Sequence, residues 1–294
     1  MTFYEWLATC ETSLTLPTST RLRQAHVGEQ RSVLTGKGLR LRHYEAYRPG
    51  DERRFIDWKA SRKDRTLLLR RFEAEKQLQV LALCDVSTSM LFGQQVSKYR
   101  IALDCVGTLG LATLRQGDAF GLLPFASAPV AYFPPRQQRD SVLQALEYLW
   151  SYDPGTAQTT TRLLPVLPYL PAYRPLLVCV LSDFCAPDWH EALDIISATH
   201  DTLAVLITDA AECTLPAVGG IVVHDLESGQ LMEYDTASTT YRQAFREQIA
   251  AERDGHEQIL RRTCGTQYVV ATSTTDYRSD LLRLFLARTV RTWI

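Results

Sequence analysis

Between residues 78 and 207 the apolar positions fall into short unbroken runs, separated by stretches with helical spacing. Leu78–Cys84, Ala119–Phe125, Leu176–Leu181 and Leu203–Ile207 end abruptly at polar residues. Each is too short for a core helix and predicts a buried strand. Ser97–Gln116 instead carries Ile101, Val106, Leu109, Leu111 and Leu114 at helical spacing. Ser97 is placed to cap that helix and Gly117-Asp118 to stop it. Asp140–Trp150 repeats the pattern with Val142, Leu143, Leu146 and Leu149, and Asp188–Thr199 predicts a further helix. Val130–Phe133 reads as a short edge strand, and Leu163–Leu170 as a short helix carrying Pro165 and Pro168. Strands alternating with helices predict an α/β fold, a doubly wound and mainly parallel sheet covered on both faces.

The flanks follow other patterns. Phe3, Trp6 and Leu7 predict a short N-terminal helix. From Gly36 onward, Leu39, Leu41 and Tyr44 lie among Arg40, Arg42 and His43, the partial alternation of a strand. Tyr47-Arg48-Pro49-Gly50-Asp51 predicts a turn, because Pro presets φ and Gly accepts positive φ. Ser61–Arg65 reads as a polar loop and Thr66–Phe72 as a second strand. Later, Gly220–Asp225 and Gln230–Asp235 flank Glu227-Ser228-Gly229 as a hairpin. Tyr241–Arg262 predicts a long charged helix, Tyr268–Ala271 a last strand and Tyr277–Arg288 a final helix. Two domains are expected: residues 1–76, an N-terminal helix with a basic β-rich extension, and residues 77–294, the α/β domain with hairpin 218–236.

Composition sharpens this division. The 294 residues are 46% hydrophobic, ample for a large core. Formal net charge is −1, which gives no overall sign of nucleic acid or membrane. Yet residues 31–76 hold 14 Lys and Arg against 7 Asp and Glu, so a basic module accompanies an acidic body. The seven cysteines are odd in number and lack zinc or C-x-x-C spacing. Cys84, Cys105 and Cys179 sit in apolar runs as small core residues, a reduced intracellular pattern. The longest apolar runs fall far short of the ~20 residues that cross a bilayer. The expectation is a chain without a transmembrane segment, cytoplasmic in location.

The candidate chemistry lies where the first central strand ends. Asp85, Ser87 and Ser89 form a D-x-S-x-S pattern. In α/β sheets the carboxyl ends of parallel strands are where ligands bind. Asp183 ends the next strongly apolar strand, and a Thr-rich loop, Thr156–Thr161, lies between the two in sequence. Oxygen donors of this kind suit Mg²⁺ or Mn²⁺ better than zinc. They do not choose among Mg²⁺, Mn²⁺ and Ca²⁺. Ser87 and Ser89 would give hydroxyl oxygens directly. Thr161, or its neighbour Thr160, would give a third, with Thr156 also in competition. Asp85 and Asp183 would supply negative charge, in part through water, since Mg²⁺ keeps several waters. Few direct carboxylates leave such an ion electron-poor, ready for an Asp or Glu of another protein. Taken one at a time, Asp85 could cap a turn and the threonines a helix.

The D-x-S-x-S pattern followed by a strand-terminal Asp resembles the metal-ion-dependent adhesion site of von Willebrand factor A domains. Tyr44-Glu45-Ala46-Tyr47-Arg48-Pro49-Gly50-Asp51 and Arg54-Phe55-Ile56-Asp57-Trp58-Lys59-Ala60 are more specific. They resemble the hallmark of the bacterial family called domain of unknown function fifty-eight. Phe72–Glu75, Leu181-Ser182-Asp183-Phe184, Leu215-Pro216 and Asp225–Gly229 fit it too, so the likeness runs from about Gly36 to the last helix. The resemblance implies a von Willebrand factor A-type sheet and no enzymatic activity. It implies a partner as well, a MoxR-type AAA+ ATPase or its client, in the assembly or maturation of other proteins. Relatives of this kind often carry N-terminal membrane helices, and this chain shows none. Its Thr156–Thr161 loop, followed by Arg162, departs from the family's usual Thr-Asp. Tyr47, Arg48, Asp51, Asp57 and Trp58 become candidate partner-binding residues, although a tight turn explains Arg48–Asp51 equally well.

Two other readings stand beside this one. A hydrolase using Ser87 or Ser89 would need a histidine in a recognisable nucleophile context, and none of the six falls in one. Nucleic acid could bind the basic module 48–71, where Arg53, Arg54, Lys59, Arg62, Lys63 and Arg65 interleave with Phe55 and Trp58. The plainer account packs Phe55, Ile56 and Trp58 onto the main domain and leaves the charges in water or against its acidic surface.

Overall fold

The six-stranded sheet at the centre of the chain is built from the apolar runs of the sequence. The computed structural model describes residues 1–13, 39–48, 51–64, 66–74, 78–156, 161–224, 231–264 and 268–291. Contacts divide the chain into two compact units, Met1–Thr20 with Leu78–Ile294, and Arg21–Gln77.

In the larger unit the strands are β3 (Gln79–Asp85), β4 (Ala119–Phe125), β5 (Phe133–Arg136), β6 (Leu177–Ser182), β7 (Asp201–Ile207) and β10 (Tyr268–Ala271). Their order is β10-β7-β6-β3-β4-β5. All neighbours are parallel except the β4–β5 edge pair. Side chains alternate across this sheet, and both faces are dry. Val80, Ala82 and Cys84 face one core, Leu81 and Leu83 the other. The first core is closed by α1 (Phe3–Ser13), α3 (Lys98–Gln116), α4 (Arg139–Ser151) and α7 (Tyr277–Arg291). The second is closed by α5 (Trp189–Thr199), α6 (Thr239–Cys264) and a 3₁₀ turn at Leu164–Tyr169. This is the doubly wound, mainly parallel α/β sheet expected from the sequence. Successive strands leave β3 toward β4 and return on its other side at β6, so the order reverses between β3 and β6. Ligand crevices in open α/β sheets form at such a reversal, beyond the carboxyl ends.

Helix α3 is buried almost along its whole length. Ser97 caps it by accepting from the Arg100 amide at 3.2 Å, and Gly117 closes it at φ 78°. Helix α1 lies against it at Gly107, where a Cβ would stand 2.7 Å from the Trp6 ring. Trp6 Nε1 donates to the buried Asp104 of α3 at 2.6 Å, and Tyr277 and Arg278 of α7 donate to the other carboxylate oxygen. This node corrects the expected grouping of residues 1–76, because the N-terminal helix packs into the α/β unit and does not group with the basic extension, while the division beside residue 77 stays. Cys84, Cys105 and Cys179 are buried as expected. No helix among the described residues is long and apolar enough to cross a membrane.

Three expectations need local correction. Leu163–Leu170 forms a 3₁₀ turn over Leu164–Tyr169, because Pro165 and Pro168 remove amide donors an α-helix would use. The edge strand lies at Phe133–Arg136 and not at Val130–Phe133. Its two prolines are tolerated because an edge strand leaves half its amides unpaired. Ser61–Arg65 is not the expected loop, because α2 (Trp58–Asp64) covers most of it.

The smaller unit shows why that helix forms. Asp57 Oδ1 accepts from the Lys59 and Ala60 amides at 3.0 and 3.1 Å, an N-terminal cap. The Ser61 hydroxyl donates to the Asp57 carbonyl at 2.6 Å and accepts from the Leu68 amide at 2.8 Å, tying α2 to the next strand. That strand, β2 (Leu68–Ala74), pairs antiparallel with β1 (Leu39–Ala46), with a register shift between Leu41 and His43. In the larger unit, β8 (Gly220–His224) and β9 (Leu231–Asp235) form the expected antiparallel hairpin. The Glu227-Ser228-Gly229 turn and Pro49-Gly50 lie outside the described residues.

Candidate metal centre

Strand β3 ends at Asp85, and β6 beside it ends at Ser182-Asp183. The parallel register pairs Cys84 with Leu181, which brings the two loops level at one edge of the sheet. Ser87 follows in extended backbone, and a 3₁₀ turn over Thr88–Leu91 turns Ser89 back toward it. The Ser87 and Ser89 hydroxyl oxygens stand 3.0 Å apart.

Each carboxylate is held in place by its own loop. Asp85 Oδ1 accepts from the Ser87 amide at 2.9 Å, and Oδ2 accepts from the Ser182 hydroxyl at 2.6 Å. Ser182 Oγ accepts in turn from the Phe184 amide at 3.0 Å, while Asp183 Oδ1 accepts from the Cys185 amide at 3.1 Å. These side-chain bonds fold the end of β6 into a tight turn with Phe184 at φ 57°. Positive φ costs a non-glycine residue of order 1 kcal/mol, and such backbone clusters at functional sites. Burial of the Phe184 ring against Trp189, 5.1 Å away, holds that conformation.

The electrostatics are uneven. Burial, and then the neighbouring Asp183 charge, push the Asp85 carboxyl up to about 7, against the hydrogen bonds from Ser182 and Ser87. Burial would raise Asp183 too, but the Lys98 ammonium outweighs it and holds that carboxyl below its usual range. Lys98 Nζ donates to Asp183 Oδ2 at 2.8 Å and to Glu212 Oε1 at 2.5 Å. The two carboxylates keep the buried ammonium protonated well above its ordinary range, despite its desolvation. Glu212 is itself anchored by a capping box, with Oε2 accepting from the Asp209 amide at 3.1 Å just beyond β7.

Asp85, Ser87, Ser89 and Asp183 therefore come together, as their positions at strand ends require. Thr161 is 1% exposed, and Thr160 lies outside the described residues. Lys98, Ser182 and Glu212 are the members that sequence reasoning passes over. Signals in the sequence point to two of them, Lys98 and Glu212. A lysine in the first turn of a helix opposes the helix dipole and needs a compensating anion. Asp209-Ala210-Ala211-Glu212 after an apolar run has capping-box spacing.

The set suits a hard divalent cation. Two hydroxyl oxygens and two carboxylates converge, and one carboxylate sits buried beside the other, a repulsion that a cation would relieve.

The five candidate partner-binding residues belong to the smaller unit. The Arg48 amide donates to Asp51 Oδ2 at 3.0 Å, and the Asp51 amide to the Arg48 carbonyl, closing the turn. The Tyr47 amide donates to the Leu67 carbonyl at 2.7 Å. Asp57 is buried, with Oδ2 accepting from the Tyr44 hydroxyl at 3.0 Å, so the Tyr44 and Asp57 motifs brace one another. Trp58 is 65% exposed. It lines a concave surface with Lys59, Ser61, Arg62 and Leu67.

A doubly wound α/β unit with a hydroxyl-and-carboxylate cluster at its strand ends, joined to a small braced β-α-β unit, defines the class. The chain belongs to the family described as Protein of unknown function DUF58, whose model matches residues 43–255. It is 25% identical over 289 residues to uncharacterized protein Rv1480 of Mycobacterium tuberculosis H37Rv, covering 96% of this chain and 90% of that one. Among solved structures it is similar to the conserved hypothetical protein BatB from Bacteroides thetaiotaomicron. That match has 13% identity and a TM-score of 0.48, over 73% of this chain and 99% of the other. It is also similar to the SpRpn10 VWA domain, at 11% identity and a TM-score of 0.40, over 70% of this chain and 94% of the other.

Proposed function

We propose that this chain is a non-enzymatic, divalent-metal-dependent protein–protein interaction module. The observation that carries the reading is the meeting of Asp85, Ser87, Ser89 and Asp183 at the carboxyl edge where the strand order reverses. Asp183 and the Ser87 and Ser89 hydroxyls would hold Mg²⁺, or Mn²⁺ or Ca²⁺ in its place, with Asp85 beside them as a neutralising charge and Thr161 or Thr160 as a further hydroxyl. A bound dication would supply Lewis acidity toward one incoming carboxylate oxygen. The partner is then a protein that presents an Asp or Glu. Family membership favours a MoxR-type AAA+ ATPase or its client, with the chain as adapter in the assembly or maturation of other proteins. Trp58, with Tyr47, Arg48 and Asp51 around the neighbouring turn, offers a second contact surface on the smaller unit.

The hydrogen bonds of the two hydroxyls support the binding reading. Ser87 bonds to Ser89 and Asp85, and Ser89 also reaches Asp183.

The test is affinity capture from the native host with the full chain as bait, in Mg²⁺ and again in chelator. An AAA+ ATPase or its client should be retained in Mg²⁺, and lost both in chelator and with Asp183→Ala. Retention that ignores both changes would refute the reading.

A further inference from the structure

We propose that Lys98 is a tethered cation that competes with the divalent ion for Asp183, with Glu212 as the anchor that receives its ammonium when the ion binds. The inference rests on the metal reading above and adds how the site is regulated.

Three observations carry it. First, Lys98 is only 2% exposed, yet its ammonium ends inside the candidate centre, 2.8 Å from Asp183 Oδ2. Both oxygens of Asp183 are thereby engaged, Oδ1 by the Cys185 amide and Oδ2 by the ammonium. A dication needs a carboxylate lone pair, and it repels an ammonium held on the same group. The two cations are alternatives at Asp183.

Second, the lysine has a destination. Nζ already touches Glu212 Oε1 at 2.5 Å. Glu212 is fixed from its other oxygen by the Asp209 amide, and Asp209 accepts from the Gln94 amide at 3.3 Å. The anchor is therefore tied both to the loop after β7 and to the segment just before α3. Glu212 is also the more exposed of the two carboxylates. An ammonium that gives up Asp183 keeps a charge-assisted bond and gains access to water.

Third, nothing local favours a lysine at this position. It occupies the first turn of α3, where the helix dipole repels positive charge. Among the described residues a buried lysine there is sustained by two carboxylates, Asp183 and Glu212, and the first belongs to the candidate ligand set. Lys98 thus supplies positive charge beside Asp183 when no ion is bound, and filling the centre exchanges one cation for another.

The experiment measures Mn²⁺ affinity of the full chain by calorimetry and by the loss of the free-ion electron paramagnetic resonance signal. Four proteins are compared: wild type, Lys98→Met, Glu212→Gln and the double variant. Competition predicts that Lys98→Met, which keeps the length of the side chain without its charge, binds Mn²⁺ at least tenfold more tightly. Glu212→Gln should bind several-fold more weakly, because the ammonium then rests on Asp183 alone. That loss should vanish in the Lys98→Met background, whereas a merely long-range effect of the Glu212 charge would persist there. An unchanged or weaker affinity in Lys98→Met overturns the proposal. If that variant does not fold, an unchanged or tighter affinity in Glu212→Gln overturns it. Mn²⁺ binding by the wild type that neither Lys98→Met nor Glu212→Gln changes removes only this inference. Binding by none of the four proteins removes the metal reading as well.

Discussion

Replacing Asp85 by Asn should make the metal-free protein more stable at pH 8. The Asp85 carboxyl is buried beside Asp183, and its pKa moves from 3.8 to about 7. The folded state therefore holds a proton, between about pH 4 and 7, that the unfolded chain has released. The native state binds more protons in that window, so stability falls as pH rises through it. A tenfold change in proton affinity is worth about 1.4 kcal/mol, and roughly three such factors set an upper limit of about 4 kcal/mol above pH 7. Asparagine keeps an oxygen for the Ser87 amide and carries no charge, but its amide nitrogen cannot accept from the Ser182 hydroxyl, which offsets about 1 kcal/mol or more of the gain at every pH. At roughly 2 °C per kcal/mol for a chain of this size, Asp85→Asn should raise Tm by less than about 8 °C at pH 8 in chelator. The gain should shrink steadily toward pH 4. His200 and His256, lowered by burial, act in the opposite direction below pH 6.5, and Asp183 acts below about pH 4. The difference between variant and wild type, and not the raw melting curve, therefore isolates Asp85. Differential scanning calorimetry between pH 4 and 8 makes the measurement. A difference between variant and wild type that does not rise from pH 4 to pH 8 would refute the idea of a carboxylate held against its preference.

Gly107→Val should lower stability by about 1–3 kcal/mol, because the new side chain meets the Trp6 ring where even a Cβ stands 2.7 Å away; denaturant unfolding reads the loss. Asp57→Ala removes the cap of α2 and the acceptor for Tyr44, and should cost about 0.5–2 kcal/mol, seen as faster amide exchange in Trp58–Asp64. Trp58→Ala should leave unfolding within about 0.5 kcal/mol of wild type, because the ring is exposed, while weakening capture of the partner.

The sheet was legible because each of its central strands is an apolar run cut off by polar residues, a pattern that only a doubly covered strand requires. Where the sequence misled, a side chain had settled the backbone locally. Asp57 turns an apparently polar loop into α2, and two prolines turn an apparent helix into a 3₁₀ segment. The oxygen cluster was legible for the same reason as the strands, since Asp85 and Asp183 stand where apolar runs end. Lys98 was not, because its partners lie 85 and 114 residues away and helical spacing says nothing about either. The Trp6–Asp104 link, 98 residues apart, escaped in the same way, and with it the place of the N-terminal helix.

The proposed function depends most on Asp85, Ser87, Ser89 and Asp183 forming one binding site for a divalent cation. Titration of Mn²⁺ into the full chain, followed by electron paramagnetic resonance, tests it directly. One ion per chain should bind to the wild type, and Ser87→Ala and Asp183→Asn should each abolish or strongly weaken that binding while the fold, checked by circular dichroism, is kept. A wild type that takes up no ion, or variants that bind as the wild type does, would contradict it.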